Sequence, residues 1–189
     1  MQSRCFVAIP IPLSIQELLK DWMDHHRSVY SFHKWVHPQD LHITLQFLGA
    51  CTIQQIEQVK LALDQVVREE SSFIMGLDHL GTFGSPKQPR ILWMGVEGNL
   101  DRLHQIQQKV MTTLAPLGFP AEDRPYRPHI TLAKKYQGKS FSLSPNAVPW
   151  TKPAATCSWK VDHLVLFKSH LGQLPMYEPV HSFTFYEVD

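Results

Sequence analysis

The sequence predicts an α/β fold of the α+β type that is built from a duplicated unit. Apolar segments with strand character alternate with segments whose apolar residues recur at helical spacing. The tetrapeptide His-Ile-Thr-Leu occurs twice, at residues 42–45 and 129–132, and each copy follows a strand and a helix at almost the same interval. Two strand–helix–strand units of equal length indicate two lobes related by an approximate two-fold axis.

Each element is predicted from its apolar spacing and from the residues that begin and end it. In the first part of the chain, the pattern predicts a strand at 5–9 closed by Pro10, a helix capped by Ser14 that ends near 25–27, a strand at 41–48, a helix capped by Thr52 whose apolar stripe extends to 66–67, and a strand at 73–80. The later elements are a loop at 81–89, a strand at 91–96, a helix opened by Asn99 or Asp101, a strand at 129–133, a surface excursion at 138–157, and strands at 159–168 and 181–188. Residues 1–189 are expected to form a single domain of two lobes, about 1–80 and 81–189, with exchange of strands between them left open.

The composition excludes several classes of protein. Lys and Arg number 18 against 17 Asp and Glu, a formal net charge of +1, so the chain is not a general polyanion binder and any phosphate recognition is local. No apolar run approaches the ~20 residues of a membrane span, and the N-terminus lacks a signal-peptide pattern. The 3 cysteines contain no Cys-x-x-Cys. A cytoplasmic monomer without membrane contact is expected.

The repeated motif places the same two side-chain types on one face of each strand. Residues i and i+2 of a strand point to the same side, so His42 projects with Thr44, and His129 projects with Thr131. Two such strands meeting across the pseudo-dyad line one cleft with two imidazoles and two hydroxyls, a set that matches a phosphodiester. With an unperturbed pKa of ~6.5, one imidazole can be neutral and the other charged near neutral pH. This arrangement predicts general acid–base catalysis at phosphorus, with hydroxyls that stabilise the developing charge.

The surroundings of the second motif add positive charge and leave little room for other chemistry. Arg127 and Lys134 bracket the motif and can bind the phosphate. Neither motif has a second histidine or a carboxylate at i+2, and metal sites gather three or more such ligands, so no metal is expected. The chain has no Walker A motif and no Lys-x-Asp-Gly, which disfavours an ATP-dependent ligase or kinase. No cofactor is therefore expected.

At these residues the chain resembles the 2H phosphoesterase superfamily and, more narrowly, the bacterial RNA 2′,3′-cyclic phosphodiesterases, also known as 2′-5′ RNA ligases. Four blocks carry the resemblance: residues 6–10 (FVAIP), 41–49 (LHITLQFLG), 90–95 (RILWMG) and 124–132 (RPYRPHITL). The resemblance implies two antiparallel sheets flanked by helices, with the active site in the groove between the lobes. It also implies RNA ends or small cyclic-phosphate nucleotides as partners.

The resemblance further implies roles for individual residues. His42 would be the proton donor and His129 the proton acceptor, opening a cyclic phosphate to a 2′-phosphomonoester, while Thr44 and Thr131 bind the phosphate. Symmetry alone does not say which histidine does which. Lys134 stands where many relatives have a nucleotide-contacting arginine, and Arg127 is a further candidate for phosphate binding. Phe6 is the candidate for stacking on the base.

Several alternatives stay open at this point. A sister 2H activity would cleave 2′-5′-linked oligonucleotides or small cyclic nucleotides, and reverse 2′-5′ ligation is a further possible behaviour. A non-catalytic RNA-end-binding module would keep the pocket without turnover, although both histidines are intact. A metal-dependent phosphatase is testable with EDTA.

Overall fold

Nine antiparallel strands form one continuous sheet with three helices packed beside it in the computed structural model, which describes residues 2–144 and 157–186. The α/β fold class is thereby confirmed. The elements are β1 Ser3–Pro10, α1 Leu13–His26, β2 Phe32–Trp35, β3 His42–Cys51, α2 Ile53–Val67, β4 Phe73–Ser85, β5 Gln88–Gly98, α3 Leu100–Leu114, β6 His129–Tyr136, β7 Ser158–Val161, β8 His163–Ser169 and β9 Tyr177–Thr184.

The strand order reflects the duplication. It runs β7-β4-β5-β6-β3-β1-β8-β9, so the two motif strands, β3 and β6, are neighbours with three further strands on each outer side. The two predicted sheets are joined by the single residue pair Ile43–Ile130. Beyond this joint β6 pairs with β2 instead. β3 and β6 therefore diverge just after the point at which they meet.

The helices α2 and α3 begin where side chains satisfy their first backbone N–H groups. Thr52 caps α2 with a full capping box, in which the Gln55 side-chain oxygen accepts a hydrogen bond from the Thr52 backbone N–H, and Asn99 caps α3. The predicted cap of α1 is wrong, because the cap position is Pro12 and Ser14 lies inside the helix. α2 packs against α3 and against β8 and β9, and α3 packs against β3. These contacts hold the motif strand β3 from behind.

The predicted loop at 81–89 is wrong, because β4 and β5 continue through it as a hairpin with register from Gly81–Trp93 to Ser85–Gln88. The glycines there serve the sheet. A Cβ on Gly81 would lie 2.2 Å from the Trp93 ring, and Gly84 has a φ of +106° at an irregularity of the register. The glycine-rich composition that indicates a loop in the sequence is needed here for close packing.

Three other strand predictions also differ from the structure. The short strand β2 was not predicted, the single strand at 159–168 is interrupted at Asp162 into β7 and β8, and the last strand begins at Tyr177 and ends at Thr184. Most of the predicted surface excursion, 145–156, lies outside the described residues, as do the last three residues. Within the described ranges, no helix combines the length and apolar character needed to cross a membrane.

Candidate active site

The two motif strands meet at the centre of the sheet. Ile43 and Ile130 are paired and fully buried. In the antiparallel register that this pair defines, His42 lies opposite Thr131 and Thr44 lies opposite His129. The structure thus brings the four motif side chains, predicted from the sequence, to one face around a local two-fold axis, and all four are half-buried.

An equivalent β-bulge follows the threonine in each motif. β3 has one extra residue relative to β1 between Thr44 and Gln46, and β6 has one extra residue relative to β5 between Thr131 and Ala133. A bulge reverses the alternation of faces beyond it. The fifth residue after each histidine therefore returns to the face of the site: Phe47 on one strand and Lys134 on the other.

Both imidazoles are oriented by a backbone carbonyl two residues earlier. His42 Nδ1 lies 2.7 Å from the carbonyl oxygen of Asp40, and His129 Nδ1 lies 2.7 Å from that of Arg127. Since a carbonyl accepts only, each ring carries its proton on Nδ1. Each Nε2 is then available to the site, and that of His42 lies 3.0 Å from Thr44 Oγ1.

Aromatic rings support both imidazoles. The His42 ring centroid lies 4.8 Å from that of Phe6 and 5.2 Å from that of Tyr177. The His129 centroid lies 4.9 Å from that of Phe83, edge to face. Phe6 is only 2% exposed. In this structure it supports His42 from below and offers a base almost no free face.

Asp40 connects the His42 strand to the start of β9. Its carboxylate is 4% exposed and accepts hydrogen bonds from the backbone N–H groups of Met176 at 2.8 Å and Tyr177 at 2.9 Å. Its own carbonyl accepts from His42. One residue therefore orients the imidazole and fixes the aromatic ring that packs on it.

The electrostatics of the site favour neutral imidazoles. Burial lowers the pKa of His42 to about 4, against the hydrogen bond to Asp40, and the charges of Lys134 and His129 lower it further. Burial, opposed by the Arg127 carbonyl and assisted by Lys134, also lowers the pKa of His129. The pKa of Lys134 is itself lowered by burial and by Lys34. Lys134 therefore lowers the pKa of both imidazoles.

A cleft of about 490 Å³ opens beside the motif residues. Thr44 and His129 line it, together with Phe83 and with Phe47, which is 63% exposed. Arg127 is exposed and also lines the cleft. Lys134, in contrast, is half-buried and lies beyond the bulge of β6.

Sequence reasoning missed Asp40, Tyr177, Phe83 and Phe47. Asp40 carries a local signal, because it stands two residues before the motif histidine as Arg127 does before its own. Tyr177 carries none, since it is distant in the chain and reaches His42 only through β8 and β9. As to metals, residues 2–144 and 157–186 contain no cluster of three or more His, Cys, Asp or Glu side chains that could hold an ion.

Known proteins are similar to this chain in sequence and in fold. A family model described as the 2′-5′ RNA ligase superfamily matches residues 12–173. The RNA 2′,3′-cyclic phosphodiesterase of Geobacillus stearothermophilus is 32% identical over 182 residues, which cover 96% of this chain and 57% of that protein. The protein of the same name from Bacillus subtilis is 34% identical over 180 residues, which cover 94% of each.

Solved structures agree with the fold. The crystal structure of E. coli LigT in apo form matches with a TM-score of 0.80 at 24% identity, covering 98% of this chain and 99% of that one. LigT complexed with 3′-AMP matches with a TM-score of 0.80 over 99% of this chain and 100% of that one, at 24% identity. The chain belongs to the 2′-5′ RNA ligase superfamily, a family of enzymes, as its repeated His-x-Thr motif predicted.

Proposed function

We propose that this chain is a metal-independent RNA 2′,3′-cyclic phosphodiesterase that opens cyclic phosphate ends to 2′-phosphomonoesters. One observation carries the proposal: two histidines whose Nδ1 atoms are held by backbone carbonyls share one face with two threonines around the Ile43–Ile130 pair. The names of the Geobacillus and Bacillus relatives support the substrate class.

The proposed reaction uses the two imidazoles in opposite directions. His129 Nε2 accepts a proton from water as the water oxygen attacks phosphorus. The bond between phosphorus and the 3′ oxygen breaks, and His42 Nε2 donates a proton to that oxygen. The products are a 3′ hydroxyl and a phosphate that stays on the 2′ oxygen. Acid–base assistance of this kind contributes about 10²–10⁴-fold in rate.

Binding of the phosphate prepares His42 for its role. A donor must be protonated, whereas burial and nearby positive charge keep the pKa of His42 at about 4 without an anion. A bound phosphodiester brings a negative charge next to this ring and raises its pKa. Thr44 and Thr131 donate hydrogen bonds to the non-bridging oxygens, and Lys134 and Arg127 supply positive charge. The substrate thus helps to create the acid that cleaves it.

The test is an oligoribonucleotide with a 2′,3′-cyclic phosphate end, incubated with the protein in EDTA and followed by ³¹P NMR. The expected product is the 2′-phosphomonoester. Formation of the 3′-phosphomonoester, activity only after a divalent metal is restored, or tight binding without turnover would each contradict the proposal. A variant lacking both motif histidines is the control for contaminating nucleases.

A further inference from the structure

The cleft beside the motif residues contains positive charge that the proposed reaction does not use. Arg90 and Arg124 line it together with Arg127. The chain as a whole has a formal charge of only +1, so three arginines around one cleft are a local concentration. The reacting phosphate already has Lys134, Arg127 and two threonines. Arg90 and Arg124 therefore point to a second anion.

These arginines have little competition for an anionic ligand. In the described part of the chain, Arg90 and Arg127 form no ion pair with a carboxylate within 4.0 Å. Arg124 pairs with Glu122 at 2.9 Å, but the two side chains are 86% and 44% exposed. Exposed pairs contribute little and are readily exchanged for a stronger partner. A phosphate oxygen can accept the guanidinium hydrogen bonds in both charge and geometry.

The segment that carries Arg124 and Arg127 is held against the motif strand. The Tyr126 hydroxyl donates a 3.0 Å hydrogen bond to the carbonyl oxygen of Thr44, and burial raises the pKa of Tyr126, so the donor stays protonated. Gln46 is buried and donates to the carbonyl oxygen of Phe119 at 3.1 Å. The arginines therefore extend from a segment anchored beside the reacting centre.

The chemistry of RNA ends identifies the second anion. The nucleotide that carries a terminal 2′,3′-cyclic phosphate is linked through its 5′ oxygen to the next phosphodiester of the strand. A free nucleoside 2′,3′-cyclic phosphate ends in an uncharged 5′ hydroxyl. A second cationic subsite next to the catalytic phosphate is thus useful only for a strand end or a 5′-phosphorylated nucleotide.

We propose that Arg90 and Arg124 form a subsite for the phosphate on the 5′ side of the terminal nucleotide, so that the chain selects RNA ends over free cyclic mononucleotides. The inference rests on the proposed function and specifies its substrate. It favours RNA ends over small cyclic nucleotides, two kinds of substrate that the sequence leaves open.

The experiment compares kcat/KM for three substrates: adenosine 2′,3′-cyclic phosphate, its 5′-phosphorylated form, and a short oligoadenylate with the same end. In the unmodified protein, the 5′ phosphate is expected to raise kcat/KM about tenfold, and the remaining strand adds little. Arg90→Gln and Arg124→Gln should each remove about threefold to tenfold from the two 5′-phosphorylated substrates. Neither change should alter the value for adenosine 2′,3′-cyclic phosphate by more than about twofold.

Two matched controls and the salt dependence sharpen the test. Arg4→Gln removes the same charge from an exposed residue of β1 outside the cleft and should change nothing, and Arg90→Lys should retain part of the preference. The logarithm of kcat/KM should fall more steeply with the logarithm of salt concentration for the 5′-phosphorylated substrate, because salt screens the additional ion pair. Thermal unfolding checks that each variant is folded.

Equal kcat/KM with and without the 5′ phosphate would overturn the subsite while leaving the proposed function intact. So would Arg90→Gln and Arg124→Gln variants that lose activity equally on all three substrates, since the arginines would then act on the reacting phosphate. Hydrolysis of none of the three by the unmodified protein would overturn the proposed function and this inference with it.

Discussion

Asp40 accepts a hydrogen bond from the backbone N–H of Tyr177 at 2.9 Å. The Tyr177 ring packs in a T-shaped contact with His42, which lies two residues after Asp40 in the chain. The buried carboxylate also accepts from Met176 at 2.8 Å. The start of β9 is thus joined to the turn just before the motif strand through two charge-assisted hydrogen bonds. Asp40 is a positioning residue, because its side chain acts on the imidazole through Tyr177.

Asp40→Asn should disturb this connection while keeping the size of the side chain. An amide offers one acceptor oxygen where the carboxylate offers two, so one N–H loses its partner, at a cost of about 1–3 kcal/mol in the free energy of unfolding. The negative charge of Asp40 also raises the pKa of His42, so its loss should lower that pKa further. The measurements are denaturant unfolding and the pH profile of kcat, with the exposed Asp21→Asn as control. An unchanged pH profile together with reduced stability would leave Asp40 only a structural residue.

The two motif histidines should be separately indispensable. His42→Ala and His129→Ala should each lower kcat by at least about 10²-fold, because each removes one partner of the proton transfer. Both rings are half-buried and lie outside the apolar core, so the fold should survive, as circular dichroism would show. His25→Ala, on the exposed face of α1, serves as the control. Near-normal turnover in either motif variant would refute its proposed role.

The titration of His42 should depend on whether an anion is bound. In the free protein, NMR of the ring nitrogens should show His42 neutral, with its proton on Nδ1, down to about pH 4. The unfolded chain takes up this proton near pH 6.5, so the free energy of unfolding should fall as the pH drops from about 6.5 towards 4. Inorganic phosphate should raise the pKa of His42. A free-protein pKa at or above 6.5 would contradict the electrostatic argument.

Lys134 should link phosphate binding to the state of both imidazoles. Its charge lowers the pKa of His42 and of His129, so Lys134→Gln should raise both values. The same change should raise KM, since it removes positive charge from the phosphate site, whereas Lys134→Arg should preserve much of the binding. Lys135→Gln, at the adjacent exposed residue, is the matched control. If Lys134→Gln and Lys135→Gln shift the pKa values of the two histidines equally, the effect is one of overall charge.

Phe47 is better placed than Phe6 to contact a nucleobase. It is 63% exposed and lines the cleft, whereas Phe6 is 2% exposed beneath His42. Stacking on an aromatic ring is worth about 1–3 kcal/mol per base, so Phe47→Ala should raise KM for an RNA end with little effect on kcat or stability. Phe6→Leu should instead lower kcat by loosening His42. The opposite pattern in the two variants would restore the original prediction of stacking on Phe6.

The sequence determined the composition of the site more fully than its shape. A strand places residues i and i+2 on one face, so the two copies of His-Ile-Thr predict four side chains without knowledge of the fold. The duplication predicts that they face one another. The cap at Thr52 was equally readable, because a capping box needs only residues within one turn of the helix.

The tertiary structure decided what depends on pairing between distant segments. By simple alternation Lys134 would point away from His129, and only the bulge in β6 against β5 returns it to the site. Tyr177 reaches His42 because β9 follows β8 into the half of the sheet that contains β1. In the sequence, the glycines at 81 and 84 indicated a loop. In the structure, Gly81 lies in a strand and leaves room for the ring of Trp93. Local periodicity specifies the face of the strand on which a residue lies, but pairing with the neighbouring strand specifies where a bulge changes that face.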